Sequence, residues 1–286
     1  MQAVVGCASG FTHPTENLMP ATAESTALTS RPSQWKDPLR PLDGRRIIVT
    51  GGTTGLGRTI TLLLAHLGAD VVICGRRQTH IDEAMQDLAD VADKVHTLEA
   101  DMSKEDDVDA LFAFADEKLG GLDVLINNAG VGAGTVEDSE PVEYRYVVET
   151  NLLGYMACAK RAIERLGGGT SGGGGGDIIN IGSLSAKSRG EGSDVYVATK
   201  AGIRGWSEAL GKQLQEDRIR VTCLEPGKIG ADFRYQPHDE QHEEHADGEL
   251  LYSESIAEAV WYLLIQPKTT NIPLLQVQPV ENQIND

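Results

Sequence analysis

From Arg46 onward, apolar positions fall into short continuous runs separated by longer stretches of mixed polarity. Ile47-Ile48-Val49 is followed by a glycine-rich turn; Leu62-Leu63-Leu64 lies within a stretch of helical character, and Val71-Val72-Ile73-Cys74 is the next run. This pattern predicts strand, helix, strand. Val95 to Leu98 and Leu122 to Ile126 predict a third and a fourth strand, each preceded by a charged helical stretch. The rhythm continues with a helix from about Pro141 to Leu166, a strand at Ile178 to Ile181 and a helix from about Asp194 to Glu216. A strand at Arg220 to Leu224, a helix at Ser255 to Leu264 and a last strand around Leu274 to Val277 complete it. Strands that read as continuous apolar runs between helices belong to a parallel sheet covered on both faces. Seven of them, joined by right-handed crossovers, predict an α/β, doubly wound, three-layer fold with a seven-stranded parallel sheet.

Three segments stand outside the rhythm. Residues 1–42 are rich in Thr, Ser, Pro and Ala without a sustained period, and predict a flexible N-terminal arm ahead of a single domain at 43–286. Docking of Trp35 and Leu39 onto the domain is the alternative, while Glu16 and Glu24 argue against a transit leader. The run GGGTSGGGGG at 167–176 predicts a surface loop entering the fifth strand from the end opposite the ligand-binding edge. Between the sixth strand and the last helix lies an acidic segment carrying His238, His242 and His245. Their spacing could place all three on one helical face as a metal site, but histidines among loop carboxylates read as polar surface, and no metal is expected.

Composition narrows the partners. A 286-residue chain with 40% hydrophobic content supports one sizeable core. Its 43 acidic residues against 25 basic ones give a net charge of -18, which favours solubility and repels polyanions, so nucleic acid is excluded as a partner. Such acidity would also suit a high-salt cytoplasm. Cys7, Cys74, Cys158 and Cys223 form no CxxC pair, and two of them lie in apolar strand runs, so a reducing, cytoplasmic setting is expected. Neither a signal-type leader nor an apolar stretch of about 18 residues predicts a membrane association.

The first strand runs into Thr50-Gly51-Gly52-Thr53-Thr54-Gly55-Leu56-Gly57, which opens a helix. Gly51 permits the turn, Gly55 admits a pyrophosphate to the backbone, and Gly57 lets helix and sheet pack closely, so the expected fold is a dinucleotide-binding Rossmann fold. At the end of the second strand an acidic residue would favour a free ribose hydroxyl. The chain instead has Cys74-Gly75-Arg76-Arg77, and Arg76 could fork two donors onto a 2′-phosphate, with Arg77 a lesser helper, unless both simply solvate a loop. Asp101 could accept from an adenine amino group or cap the helix beginning near Lys104. Asn127-Asn128-Ala129-Gly130 ends the fourth strand at the same edge. Ser183 ends the fifth, and Tyr196 and Lys200 lie one turn apart on one face of the following helix. A phenol titrates near 10, so using one near pH 7 requires roughly 4 kcal/mol of stabilisation of its anion, a task suited to an adjacent ammonium.

With these elements in one topology, the chain resembles the classical short-chain dehydrogenase/reductase family over about residues 43 to 281, through T50GGTTGLG57, N127NAG130, Ser183, Y196VATK200 and Pro226-Gly227. The resemblance implies a catalytic set of Asn151, Ser183, Tyr196 and Lys200, with Asn151 supporting a water linked to the lysine. It implies cofactor contacts from Gly51, Thr53, Thr54, Gly55, Leu56, Gly57, Arg76, Arg77, Asp101, Met102, Asn127, Asn128, Ala129, Gly130, Tyr196, Lys200, Pro226, Gly227 and Ile229. The threonine often found after Ile229 is replaced by Gly230-Ala231, so a hydroxyl near the pyrophosphate is missing. The expected activity is NADP(H)-dependent hydride transfer between nicotinamide and a carbonyl or secondary alcohol, with NAD(H) preference as the alternative and a dinucleotide-sensing scaffold as the non-enzyme alternative. The glycine-rich turn lacks a Walker lysine, which argues against a kinase.

For the substrate, Lys187 and Arg189 could attract an anion, whereas the acidic residues between 239 and 249 would repel one. The tail Ile272 to Pro279 is similar to that of relatives acting on small hydroxy acids and polar alcohols. The family also implies a homo-oligomer, expected to be a tetramer, through the helices at 141–166 and 194–216, and Tyr155, Ala159, Ile203 and Leu210 are read as surplus apolar surface on them.

Overall fold

The computed structural model describes residues 42–166, 174–190, 193–230 and 248–281. They belong to one compact unit, Pro41–Asp286. The arm at 1–41, the glycine run at 167–173 and His238, His242 and His245 lie outside the described residues.

Seven parallel strands form the sheet in the order β3-β2-β1-β4-β5-β6-β7. They are β1 (Arg46–Val49), β2 (Asp70–Gly75), β3 (Val95–Glu99), β4 (Val124–Asn127), β5 (Gly176–Ile181), β6 (Ile219–Pro226) and β7 (Leu274–Val277). The interspersed helices are α1 (Gly55–His66), α2 (Gln78–Asp87), α3 (Glu105–Leu119), α4 (Pro141–Val148), α5 (Gly154–Leu166), α6 (Ser185–Ser188), α7 (Asp194–Gln213) and α8 (Ser253–Leu264). The order reverses between β1 and β4, which opens a crevice at the carboxyl ends of the strands.

Alternation along each strand divides the core into two layers. Ile47, Val49, Val71 and Ile73 pack with α1, α2 and α8, while Ile48, Val72, Leu125 and Ile178 pack with α3, α5 and the C-terminal part of α7. Burial on both faces is why these strands read as unbroken apolar runs. Helix boundaries follow local chemistry. α3 places Glu105, Asp106 and Asp107 at its positive end and stops at Gly120, which adopts a left-handed conformation with φ 68°. α4 opens with a capping box between Glu140 and Glu143, with Pro141 in its first turn.

Two expectations are corrected. The helix predicted over Pro141 to Leu166 is interrupted by a π-turn at Glu149–Leu153, a wider winding that often marks functional positions. Tyr155, Ala159 and Ile203 do not form surplus surface, because all three are buried in the chain's own core and Leu210 packs partly against it. They therefore offer no independent support for an oligomer. No helix among the described residues is long and apolar enough to cross a membrane.

Candidate active site

The crevice begins where β1 ends. Thr50 Oγ1 accepts from the backbone N–H groups of Asn128 and Ala129, each at 3.0 Å. Asn128 Nδ2 donates to the carbonyl oxygens of Thr50 and Gly51 at 2.9 and 3.1 Å. The turn after β1 and the loop after β4 are thus tied into one floor. Gly51 has φ 65°, and a Cβ there would lie 2.8 Å from Ala129 Cα. A Cβ on Gly57 would overlap the Gly51 carbonyl and the Asn128 amide. At the start of α1, Thr54 makes no side-chain cap and the first turn holds no acidic residue, so its amides and positive dipole end suit an anion. This cradle fits a dinucleotide pyrophosphate.

At the neighbouring strand end, Arg76 and Arg77 are exposed just beyond β2. Arg76 donates to the hydroxyl of Tyr146, and its guanidinium lies 5.5 Å from that ring's centroid. Tyr146 Oη in turn donates to Asp101 Oδ2 at 3.2 Å. Asp101 Oδ1 accepts from the N–H and Oγ of Ser103 at 3.0 and 2.9 Å. Asp101 therefore closes a local turn and does not cap α3, whose N-cap is Lys104 with no side-chain bond. Met102 turns its side chain into the core, with its sulfur 3.7 Å from Cys158 Sγ, so any cofactor contact it makes runs through its backbone. Asn127 is likewise placed differently from the expectation. It is fully buried, and its Nδ2 donates to the Tyr155 carbonyl at 3.2 Å and to Asn180 Oδ1 at 2.9 Å. Its side chain ties β4 to α5 and β5, so any cofactor contact it makes runs through its backbone.

The chemical end is assembled by the π-turn, β5 and α7. Asn151, buried in the π-turn, accepts from the Val131 N–H at 2.8 Å and donates to the Val131 carbonyl at 2.9 Å, with Thr199 Oγ1 at 3.4 Å. Its amide holds the loop after β4 against α7. Lys200 Nζ donates to the Ile181 carbonyl at 2.8 Å and sits 5.6 Å from the centroid of the Tyr196 ring. Burial lowers the lysine to about 8, because an ammonium loses hydration there. Tyr196 is half-buried on the first turn of α7. Ser183 lies two residues beyond β5, where its Oγ accepts from Ser185 N–H at 3.1 Å. Lys200 and Ser183 are thus referenced to the same strand end, and Asn151 reaches the residue beside Lys200.

Two further tyrosines stand at this site, the second of them expected from the sequence only as apolar helix surface. Tyr146 bridges the residues read as phosphate and adenine contacts. Tyr155, fully buried, shares the Ile181 carbonyl with Lys200 at 3.3 Å and places its ring 5.5 Å below the ammonium; burial raises its phenol well above the usual range. No local pattern marks either one. At the far side, Gly227 donates to the Val277 carbonyl at 2.7 Å, and Leu184 N–H donates to the Pro226 carbonyl at 2.9 Å. Ile229 bridges Leu251 in parallel register, with Lys228 and Gly230 making the hydrogen bonds. In that pattern the backbone groups of Ile229 itself point to the opposite side. Lys187 and Arg189 are exposed at the end of α6.

The short chain dehydrogenase profile matches residues 45–242. An uncharacterized oxidoreductase of Staphylococcus aureus is 33% identical over 236 residues, covering 82% of this chain and 96% of its own. A serine dehydrogenase solved in its closed form with NADP+ superposes with a TM-score of 0.72 at 29% identity, covering 83% of this chain and 96% of that one. A 3-ketoacyl-(acyl-carrier-protein) reductase from Brucella melitensis, complexed with NADH, superposes with a TM-score of 0.75 at 27% identity, covering 84% and 99%. The chain belongs to the short chain dehydrogenase family, and it is an oxidoreductase that transfers hydride at CH–OH groups with a dinucleotide cofactor.

Proposed function

We propose that this chain is an NADP(H)-dependent oxidoreductase interconverting a carbonyl and a secondary alcohol on a small hydroxy acid or polar alcohol, with Tyr196 as general acid and base. The observation that carries this reading is the buried Lys200 ammonium beside the Tyr196 ring. When bound, the nicotinamide supplies or accepts the hydride. Tyr196 Oη holds the proton that passes to the substrate oxygen in reduction and returns in oxidation. Lys200 favours the phenolate by its charge and, with a value of about 8, stays mostly protonated near pH 7. Ser183 Oγ positions the substrate oxygen. Because the Asn151 amide is committed to Val131 and Thr199, any water it holds for Lys200 rests on its backbone.

Arg76 supports the NADP(H) preference, since no carboxylate stands at the end of β2 to repel a 2′-phosphate. An exposed, salt-screened guanidinium should give about 1 to 3 kcal/mol, or roughly 5- to 150-fold. The NADP+ complex of the serine dehydrogenase accords with this choice and with a small hydroxy-acid substrate, whereas the NADH complex of the reductase keeps NAD(H) preference as the second reading. A cytoplasmic homotetramer remains part of the proposal, tested by light scattering against the 30.7 kDa chain mass. Tyr196→Phe tests the proton donor. Dinucleotide binding should persist while turnover falls at least about 100-fold, the lower range of general acid–base contributions. Near-parental turnover overturns the assignment.

A further inference from the structure

Arg76 leaves β2 as a long, exposed side chain, and its neighbours Arg77 and Gln78 are exposed as well. Its hydrogen-bonded partner instead comes from a residue 70 positions away on α4. Tyr146 offers it a hydroxyl, with the ring centroid 5.5 Å from the guanidinium carbon. The polarity of the chain of bonds is fixed by chemistry. A guanidinium can only donate and an ionised carboxylate can only accept, so the phenol must accept from Arg76 and donate to Asp101. The far end is anchored. Asp101 is held by Ser103 through its side chain, and its backbone N–H donates to Asp107 Oδ2 at 2.8 Å. The near end is anchored by the capping box that starts α4.

We propose that Tyr146 is the positioning residue for cofactor discrimination, holding Arg76 in the pose that receives a 2′-phosphate. The inference rests on the NADP(H) reading of Arg76 and adds to it the device that makes the arginine effective. A free arginine loses rotamer freedom when it engages a phosphate; one already held by a hydroxyl has lost part of it beforehand. Arg76 carries five N–H donors, so the bond to Tyr146 leaves others for a phosphate. Asp101 supplies a balancing negative charge through the phenol, without a direct ion pair that a phosphate would have to break. A free ribose hydroxyl carries no charge for this device to meet, so NAD(H) should gain little from it.

The test uses the full chain and two probes differing by one phosphate, adenosine 2′,5′-bisphosphate and adenosine 5′-monophosphate, titrated calorimetrically. Tyr146→Phe keeps the ring and removes the relay. It should weaken the bisphosphate about 3- to 10-fold, as expected for one lost hydrogen bond, and change the monophosphate less than about twofold. The double variant Arg76→Ala/Tyr146→Phe should bind the bisphosphate no more weakly than Arg76→Ala alone, because the phenol acts through the arginine. Purely structural damage would weaken both probes alike, and that outcome overturns the proposal. So does tighter bisphosphate binding in Tyr146→Phe, or additive loss in the double variant. If Arg76→Ala lowers bisphosphate affinity selectively while Tyr146→Phe matches the parent, this proposal alone fails. If Arg76→Ala binds the bisphosphate as the parent does, the NADP(H) reading fails and takes the proposal with it.

Discussion

Lys200→Met should make the protein more stable and inactive. The Lys200 ammonium is almost wholly buried, and burial lowers it to about 8 from an ordinary 10.5. Carrying that charge at pH 7 therefore costs about 3 kcal/mol relative to the unfolded chain. Methionine fills similar space without the charge, so the cost disappears. Against it stands the lost hydrogen bond to the Ile181 carbonyl, worth about 1 kcal/mol. That carbonyl is not orphaned, because Tyr155 still donates to it at 3.3 Å. The net gain is about 2 kcal/mol at pH 7, or an increase of about 4 to 8 °C in Tm for a domain of this size. The sign with pH is distinctive. Between pH 8 and 10.5 the folded parent binds fewer protons than the unfolded chain, so the parent's stability rises through that window while the variant's does not. The gap should close by about pH 10.5. Thermal unfolding followed by circular dichroism at pH 7, 9 and 10.5, without dinucleotide, measures it. A variant less stable than the parent at pH 7, or a gap independent of pH, would refute the reasoning. Adding Tyr155→Phe supplies the control, since the carbonyl then loses its second side-chain donor and the gain should shrink.

Two further outcomes separate the ligand edge of the sheet from its opposite edge. Gly57→Ala places a methyl against the Gly51 carbonyl and the Asn128 amide, and should lower dinucleotide affinity at least about tenfold by spreading the turn from the loop after β4, with parental affinity in a fluorescence titration counting against the cradle. Asp177, at the amino end of β5, accepts from Arg220 at 2.6 Å and Arg45 at 3.2 Å with its side chain only 9% exposed; Asp177→Asn should cost about 2 to 3 kcal/mol in urea unfolding while leaving kcat/KM unchanged well below the midpoint, and a loss of activity at full folding would contradict its purely structural place.

The strands were legible because a doubly covered sheet demands unbroken apolar runs, and Ser183, Tyr196 and Lys200 could be singled out because they stand at a strand end or one helical turn apart, whereas Asn151 rests on the family resemblance alone. The π-turn was not legible. One extra residue of winding between Val148 and Gly154 leaves the apolar pattern of a long helix intact, and no proline marks it. Tyr146 and Tyr155 were hidden for a different reason, because their partners are 70 and 26 residues away and only the folded sheet brings them close.

Asn127 is the instructive case, since a signal for it did exist. It and Asn128 look alike at the end of β4, and both were read as facing the cofactor. Side chains alternate across a strand, so Asn127 shares the face of Leu125, which packs under α5. That parity alone sends Asn127 toward α5, where it meets the Tyr155 carbonyl, and leaves Asn128, the first residue past the strand, to close the turn after β1. A buried amide at the α5 face has to find polar partners, and Asn180 on the neighbouring strand, itself tied to Ser207 at 2.9 Å, supplies one. The polar ladder from Asn127 through Asn180 to Ser207 thus crosses the middle of the sheet to α7 and holds in place the strand ends on which Ser183 and Lys200 depend.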